Sequence, residues 1–330
     1  MVDVLTQWHV TDNHTLLPSK TRVVEGVLSR VEDYLALYQK IWWASTRCLP
    51  SFDYAYSKSV QKDNEQHLDD LLKQLMNELK SPQGLDGEVW SGRLEDFAQN
   101  AICLEAEQID WIKKSGILQA LVAFVKMARE FDPLIRVEDI YQAGRNVMTA
   151  NFIQLLLGLP VRVSPSIFAY SMLYPYTDNY LDDPAVSAAD KLAFNRRFYE
   201  RLLEKEVLPT NAYEATIMRL IGMIEGEWDR DTYPQVYESL LAIHAAQTHS
   251  LGLVATGLSP FELDVAGIAF EKGGTSVLAD GYLAAGRLTD EQARLLFGFG
   301  TFTQLMDDLE DLPGDRRENR ASLFSLTAGH

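Results

Sequence analysis

The sequence predicts an all-α protein, a single large antiparallel helical bundle. Three observations carry this. Apolar residues recur at spacings of three and four through most of the 330 residues. No segment alternates at period two, and no Asn-Gly or Asp-Gly turn joins two β-rich runs. Prolines and glycines fall between the periodic stretches instead of inside a strand pattern.

The helices follow in chain order. "VVEGVLSRVEDYLALYQKIWW" (23–43) places Val24, Val27, Val31, Leu35 and Leu37 near one stripe. "NEQHLDDLLKQLMNELK" (64–80) sets Leu68, Leu71, Leu72 and Leu75 at helical intervals. "SGILQALVAFVKMAREF" (115–131), "YEATIMRLIGMIEGEW" (213–228) and "YPQVYESLLAIHAAQTHSLGLV" (233–254) read the same way. Breakers stand at Pro82, Gly84, Pro133, Pro160, Pro184, Pro209, Pro260 and Pro313-Gly314. There is no low-complexity linker and no repeat of fixed period. Residues 1–330 read as one domain, with 1–90 as a less tightly packed flank.

Composition narrows the function classes. The net charge of −17 argues against a general nucleic-acid or anionic-membrane surface, which would need basic patches. It does not argue against an anionic substrate, because carboxylates hold cations and cations hold phosphates. "FIQLLLGLPVRV" (152–163), cut by Gln154, Pro160 and Arg162, is too short and polar to span a bilayer. The N-terminal stretch lacks a basic region followed by an apolar core, so no signal peptide is expected. Cys48 and Cys103 are the only cysteines; they make no disulfide framework or zinc site and fit a reducing cytoplasm.

Two acidic helix ends stand out. Ser164-Pro165 is a helix start, a capping hydroxyl followed by a first-turn proline. The helix runs "SIFAYSMLYPYTDNYLDD", with a kink expected at Pro175. Asp178 and Asp182 share a face with Tyr174 and Ser171, and Asp183 follows. "LLFGFGTFTQLMDDLEDLPGD" (295–315) repeats the design with Asp307, Asp308, Glu310 and Asp311. Gly300, Thr303 and Gln304 lie on the side of Asp307, while Phe302, Leu305, Met306 and Leu309 are expected to face a core. Pro313-Gly314 is expected to end the helix.

Local rules disfavour both ends. Like charges four apart repel by roughly a few tenths of a kcal/mol. Acids at a helix C-terminus oppose the macrodipole by about 0.3–1 kcal/mol each. One such cluster is most simply a solvated helix end; two, each closing an apolar helix, call for a shared cause. A divalent cation would remove the conflict, and oxygen-only ligands suit Mg²⁺. An EF-hand fails on detail, since Tyr180 and Asp183 occupy positions that need an oxygen ligand and a glycine. A di-iron bundle would need Glu-x-x-His motifs, which are absent.

The arrangement resembles the class I isoprenoid synthases, the terpene synthases and trans-prenyltransferases. "DNYLDD" stands where that superfamily has its first aspartate-rich motif, though not as a strict Asp-Asp-x-x-Asp. "FGFGTFTQLMDDLED" is the closer match: a glycine-rich helix, Gln304, then Asp307, Asp308 and Asp311. "FEKGGTSVLADGYLAAG" (270–286) is similar to the kinked helix whose lysine and following hydroxyl touch the diphosphate, here Lys272 and Thr275. Lys272 lies 35 residues before Asp307 and 94 after Asp178, intervals that suit the family. The resemblance covers about 165–325.

The resemblance implies an all-α bundle of the class I terpenoid synthase type. It implies that two aspartate-rich motifs on facing helices hold three Mg²⁺ ions. These bind a prenyl diphosphate, the expected partner. Metal candidates are Asp178, Asp182, Asp183, Asp307, Asp308 and Asp311, with Asp178, Asp182, Asp307 and Lys272 at the chemistry. Lys272, Thr275, Gln304, Arg196, Arg197, Arg316 and Arg317 are candidate diphosphate contacts. Ionising an allylic diphosphate needs charge neutralisation at the leaving group and a water-poor aromatic cavity. Tyr174, Phe299, Phe152, Phe168, Tyr176 and Phe302 are candidates to line it, though aromatics at helical spacing are more often plain core. His244, Gln247 and His249 read as a hydrogen-bonded buried polar set or as cavity lining.

Two departures separate the chain from chain-elongating prenyltransferases. No Gly-Lys-x-Arg segment precedes the first motif, and the Arg196-Arg197 pair lies 14 residues beyond Asp182 with no glycine after it. The expectation is therefore a cytoplasmic, Mg²⁺-dependent class I terpene synthase with no membrane segment and no nucleic-acid partner; homodimerisation is open. A prenyltransferase joining two prenyl units, or a non-catalytic helical protein, are the alternatives.

Overall fold

A computed structural model describes residues 26–46, 48, 56–81, 85–183, 185–250, 264–318 and 321–327. Its described residues form helices and no strand. None of these helices is long and apolar enough to cross a membrane. Cys48 and Cys103 are free and exposed. The chain divides into two compact units: 1–45, 180–218 and 228–330 make one, and 46–179 with 219–227 make the other. Residues 1–90 are thus shared between the units.

The first unit contains α1 (Val27–Ala44), α8 (Ala188–Leu202), α10 (Pro234–Ser250), α11 (Val265–Ala285), α12 (Asp290–Glu310), α13 (Leu312–Glu318) and α14 (Leu323–Thr327). At its centre lies α11, which packs on α1, α10, α12 and α14. An evenly apolar helix must be covered on every side, and along α11 only Lys272 is exposed. Small residues let the neighbours approach. A Cβ on Gly273 would stand 2.3 Å from the Gly300 carbonyl oxygen, and one on Gly300 would stand 2.1 Å from that of Gly273. The α11–α12 pair therefore crosses backbone to backbone. Phe297 fills the space over Gly274, and Leu296 that over Gly281.

Helix α1 packs on both α11 and α12. Its Tyr34 and Tyr38 pack on Phe297, with ring centroids 5.7 and 6.0 Å away. Tyr34 donates to Asp290 Oδ1 at 2.8 Å, and Tyr38 to the Arg294 carbonyl at 2.9 Å. The α10 residue Glu238 accepts from the Val27 N–H at 2.8 Å, placing a carboxylate on the positive end of α1.

The second unit contains α2 (Lys58–Leu79), α3 (Gly87–Asn100), α4 (Ala106–Ser115), α5 (Ile117–Phe131) and α6 (Val137–Leu156). Helix α7 (Pro165–Asp182) and α9 (Ala212–Glu227) each contribute residues to both units. Gly116, at φ 86°, turns α4 into α5 in a left-handed conformation that glycine adopts without strain. Phe124 and Phe131 of α5 pack on Phe168 of α7 at 5.9 and 5.6 Å. Gln154 pairs with both backbone groups of Arg162, donating to its carbonyl at 3.1 Å and accepting from its N–H at 3.0 Å. This pins the connection into α7, where Ser164 Oγ caps Ile167 and the helix is continuous through Pro175.

Two expectations change. Phe302, Met306 and Leu309 are exposed, and of that set only Leu305 packs on the Ala266–Phe270 cluster of α11. The glycine crossing turns the Gly300–Gln304 side inward, so the apolar side opposite points out. Pro313 does not end α12, which stops at Glu310; it lies in the first turn of α13, where proline lacks no bond the helix needs.

The crossing gives a paired test. Gly-to-Ala in a helix gains about 0.5–1 kcal/mol from backbone entropy. Overpacking costs about 1–3 kcal/mol. Gly273→Ala is expected to lower stability by about 1–2 kcal/mol in chemical denaturation. Gly222→Ala in α9, where an added Cβ meets nothing within 4 Å, is expected to raise it by about 0.5 kcal/mol.

Candidate functional site

The acidic end of α12 is built by the glycine crossing. Gln304 follows Gly300 by one turn and sits against Gly273, so it faces α11. Its amide donates to Asp308 Oδ1 at 2.8 Å. Burial raises the Asp308 carboxyl above the ordinary carboxylate range. The Gln304 bond and the Lys272 charge oppose that rise, while Asp315 and Asp307 add to it. Lys272, Gln304, Asp307, Asp308 and Asp315 thus form one electrostatic group, and the negative charges outnumber the lysine. Asp311 is exposed at the helix cap, its N–H bonded to the Asp307 carbonyl at 2.8 Å.

At the end of α7, Asp178 accepts at Oδ2 from Gln142 Nε2 of α6, at 3.0 Å. Next to it, Asn179 donates to Asp139 at 3.0 Å and accepts from Arg136 at 3.0 Å. Burial would raise Asp139, but bonds from Arg136 and Asn179 outweigh it and hold the carboxyl below its ordinary value. One turn up, Asn146 donates to Ser171 at 3.0 Å. Asp183 accepts from the Ala185 N–H at 2.8 Å in an exposed turn. The side chain of Asp182 lies outside the described residues.

The remaining candidates are spread out. Arg197 forks onto Glu214, which is fully buried; removing the arginine would leave a buried charge, at about 3–5 kcal/mol. Arg196 pairs with Glu200 at 3.3 Å on the surface. Arg316 and Arg317 are exposed on α13. Thr275 is buried and its hydroxyl donates to the Glu271 carbonyl at 2.6 Å, within its own helix. Tyr174 shares a hydroxyl contact with Tyr170 at 3.1 Å. Phe299 and Phe152 are exposed, whereas Phe168 and Tyr176 are core, Tyr176 donating to Asp132 at 2.5 Å.

The polar residues of α10 diverge. His244 is buried against Phe198 and Tyr199, its Nε2 without a hydrogen-bond partner. Burial lowers its pKa to about 4, with a bond to the Asn195 backbone opposing. His249 meets Glu271 at 2.9 Å, and that bond raises its pKa.

Gln142, Asp139 and Arg136 were missed in the sequence reading. Their signal is a polar stripe, Arg136, Asp139, Gln142 and Asn146, at spacings of three and four along α6. Glu214, which pairs with Arg197, and Asp315, a smaller contributor to the Asp308 shift, carried no such signal.

Among the described residues, no group of three or more His, Cys, Asp or Glu side chains is arranged to hold a metal ion. The donor chemistry at Asp307 and Asp308 still fits Mg²⁺. The donors are oxygens only, and burial, with smaller contributions from Asp315 and Asp307, raises a carboxyl whose charged form a dication would stabilise. Such an ion would keep waters and phosphate oxygens in its shell, as Mg²⁺ does.

Two titration outcomes follow. Burial raises the Asp308 carboxyl in the folded chain, so its ionisation costs stability as pH rises above the ordinary carboxylate value. Asp308→Asn, which still accepts from Gln304, is expected to raise the melting temperature at pH 7 and to have little effect near pH 3. His244 binds its proton at about pH 4 when folded and near 6.5 when unfolded, so stability falls as pH drops through that window. The loss at pH 5 is about 2 kcal/mol. In His244→Phe the difference in denaturation free energy between pH 7 and pH 5 should shrink by that amount.

No family model matches the chain, and neither a curated protein nor a solved structure shows significant similarity to it.

Proposed function

We propose that the chain is a Mg²⁺-dependent class I terpene synthase with the corresponding helical fold. On this reading it ionises a linear prenyl diphosphate and converts the carbocation to a hydrocarbon or alcohol. One observation carries the reading: Lys272, the exposed residue of an otherwise covered helix, acts on Asp308 across a backbone-close crossing. A cation on a rigid platform beside a carboxylate group is what a diphosphate leaving group requires.

Asp307, Asp308 and Asp311, and Asp178, Asp182 and Asp183, are the residues that would hold Mg²⁺. Bound there, the metal would supply Lewis-acid stabilisation of the departing diphosphate. Lys272 would bind a diphosphate oxygen, with Arg316 and Arg317 as the other cationic candidates. Arg197 is committed to Glu214. Gln304 orients Asp308, so the carboxylate need not reorganise as charge develops. Phe299, in the same unit as Lys272, would present an aromatic face to the cation.

The test is incubation with linear prenyl diphosphates of ten to twenty-five carbons plus Mg²⁺, with and without isopentenyl diphosphate, read by mass spectrometry and pyrophosphate release. Hydrocarbon or alcohol from one substrate is expected without isopentenyl diphosphate. Asp307→Ala and Asp178→Ala should each lower pyrophosphate release by about a hundredfold or more while keeping the melting temperature. Longer prenyl diphosphates would instead favour a prenyltransferase. Absence of Mg²⁺-dependent release from the unmodified protein would favour a non-catalytic one.

A further inference from the structure

We infer that α10 carries an acid-operated latch: a proton on His244 releases α8 from α10, while α10 stays held to α11. Neither metal nor substrate enters into it. The two histidines of α10 are five residues apart and meet different helices. His244 faces α8. It is 8% exposed, and its ring centroid lies 5.5 Å from that of Phe198 and 5.4 Å from that of Tyr199. Its bond to the Asn195 backbone favours the protonated ring, so a ring N–H donates and the Asn195 carbonyl accepts. Nε2 has no hydrogen-bond partner, which makes Nδ1 the donor. The neutral tautomer is thereby fixed, with Nε2 as a buried lone pair. A second proton must go to Nε2, where no protein acceptor meets it. Opening the seam between α8 and α10 lets water accept that N–H.

The charged groups around α10 do not relieve this. From α8, Tyr199 is the titratable neighbour, and burial keeps its hydroxyl neutral. Arg196 and Arg197 of α8 pair with Glu200 and Glu214. From α1, the Val27 N–H takes Glu238 of α10, while Arg30 and Tyr34 turn to Asp290. From α11, Glu271 turns to His249 at 2.9 Å. Among the described residues, none of these carboxylates acts on His244.

Helix α8 is the element able to respond. The helix it chiefly packs on is α10, whereas α11 is covered by four helices. Its other ties are single side chains: Phe194 on Tyr180, Arg197 on Glu214, and Arg230 on the Leu202 carbonyl. Acid acts on His249 in the opposite sense. Its bond to Glu271 raises its pKa, so that contact strengthens as pH falls. One helix thus loosens on one side and tightens on the other. His244 takes its proton at about pH 4 in place and near 6.5 once exposed, so the opened fraction of α8 rises about twentyfold from pH 7 to pH 5.

The test is hydrogen exchange by mass spectrometry on the full chain at pH 7 and pH 5, with rates corrected for the intrinsic effect of pH. Protection of residues 188–202 is expected to fall about twentyfold, and that of 265–285 to be higher at both pH values and to fall less. His244→Gln keeps a donor for the Asn195 carbonyl but takes no proton; His244→Phe removes both. Each should show at pH 5 the α8 protection it has at pH 7. His249→Gln should retain the α8 loss. An α8 loss that persists in either His244 variant, or its disappearance in His249→Gln, would overturn the inference. So would equal losses at 188–202 and 265–285 in the unmodified protein, which mark global unfolding. If neither His244 variant folds, that comparison of the two segments decides.

Discussion

The first unit depends on one close contact. Where α11 and α12 cross, Gly273 and Gly300 leave no room for even a methyl group. That distance decides which side of each helix is core. It turns Gln304 toward α11, brings the Asp308 carboxyl under the influence of Lys272, and sends Phe302, Met306 and Leu309 to the surface. It also lets Phe297 reach over Gly274 and present its other face to Tyr34 and Tyr38 of α1. A wider crossing would lose these contacts together, because packed interiors tolerate little adjustment.

Much of the fold was legible in periodicity. The helices around 115–131, 213–228 and 233–250 and the Ser164 cap stand where spacing and capping chemistry put them. The proximity of Lys272 to Asp308 was not legible in spacing, since nothing local relates residues 36 apart. What was not legible was direction around the helix axis. Both sides of α12 carry residues that could be core: small ones on one side, large apolar ones on the other. Amphipathic reasoning favours the large ones. The close approach of α11 reverses that preference. Likewise, Arg197 read as a candidate diphosphate contact because nothing in the sequence ties it to Glu214, and only the packing of α8 and α9 residues within the first unit reveals the pair.

Several polar residues sit where burial is costly, and each is matched to a partner. Gln154 interrupts an apolar run but closes both backbone groups of Arg162. Glu214 is buried with a forked arginine and an N–H from Thr210 at 2.9 Å. Asp308 differs from these two. Its partners leave the carboxyl above its ordinary range, so the charge is only partly compensated within the protein. A buried carboxyl whose charge is only partly compensated is a common mark of a working residue.

The way the chain is apportioned bears on synthesis. Helix α1 lies near the start of the sequence, while the helices that cover Val27, Val31 and Tyr34 come from beyond residue 230. A ribosome makes these partners last. The second unit, by contrast, draws mainly on the continuous stretch 46–179 and needs only 219–227 from later. Domains emerge and fold from the N-terminus onward. The nascent chain therefore carries the apolar side of α1 uncovered until the residues beyond 230 have been made.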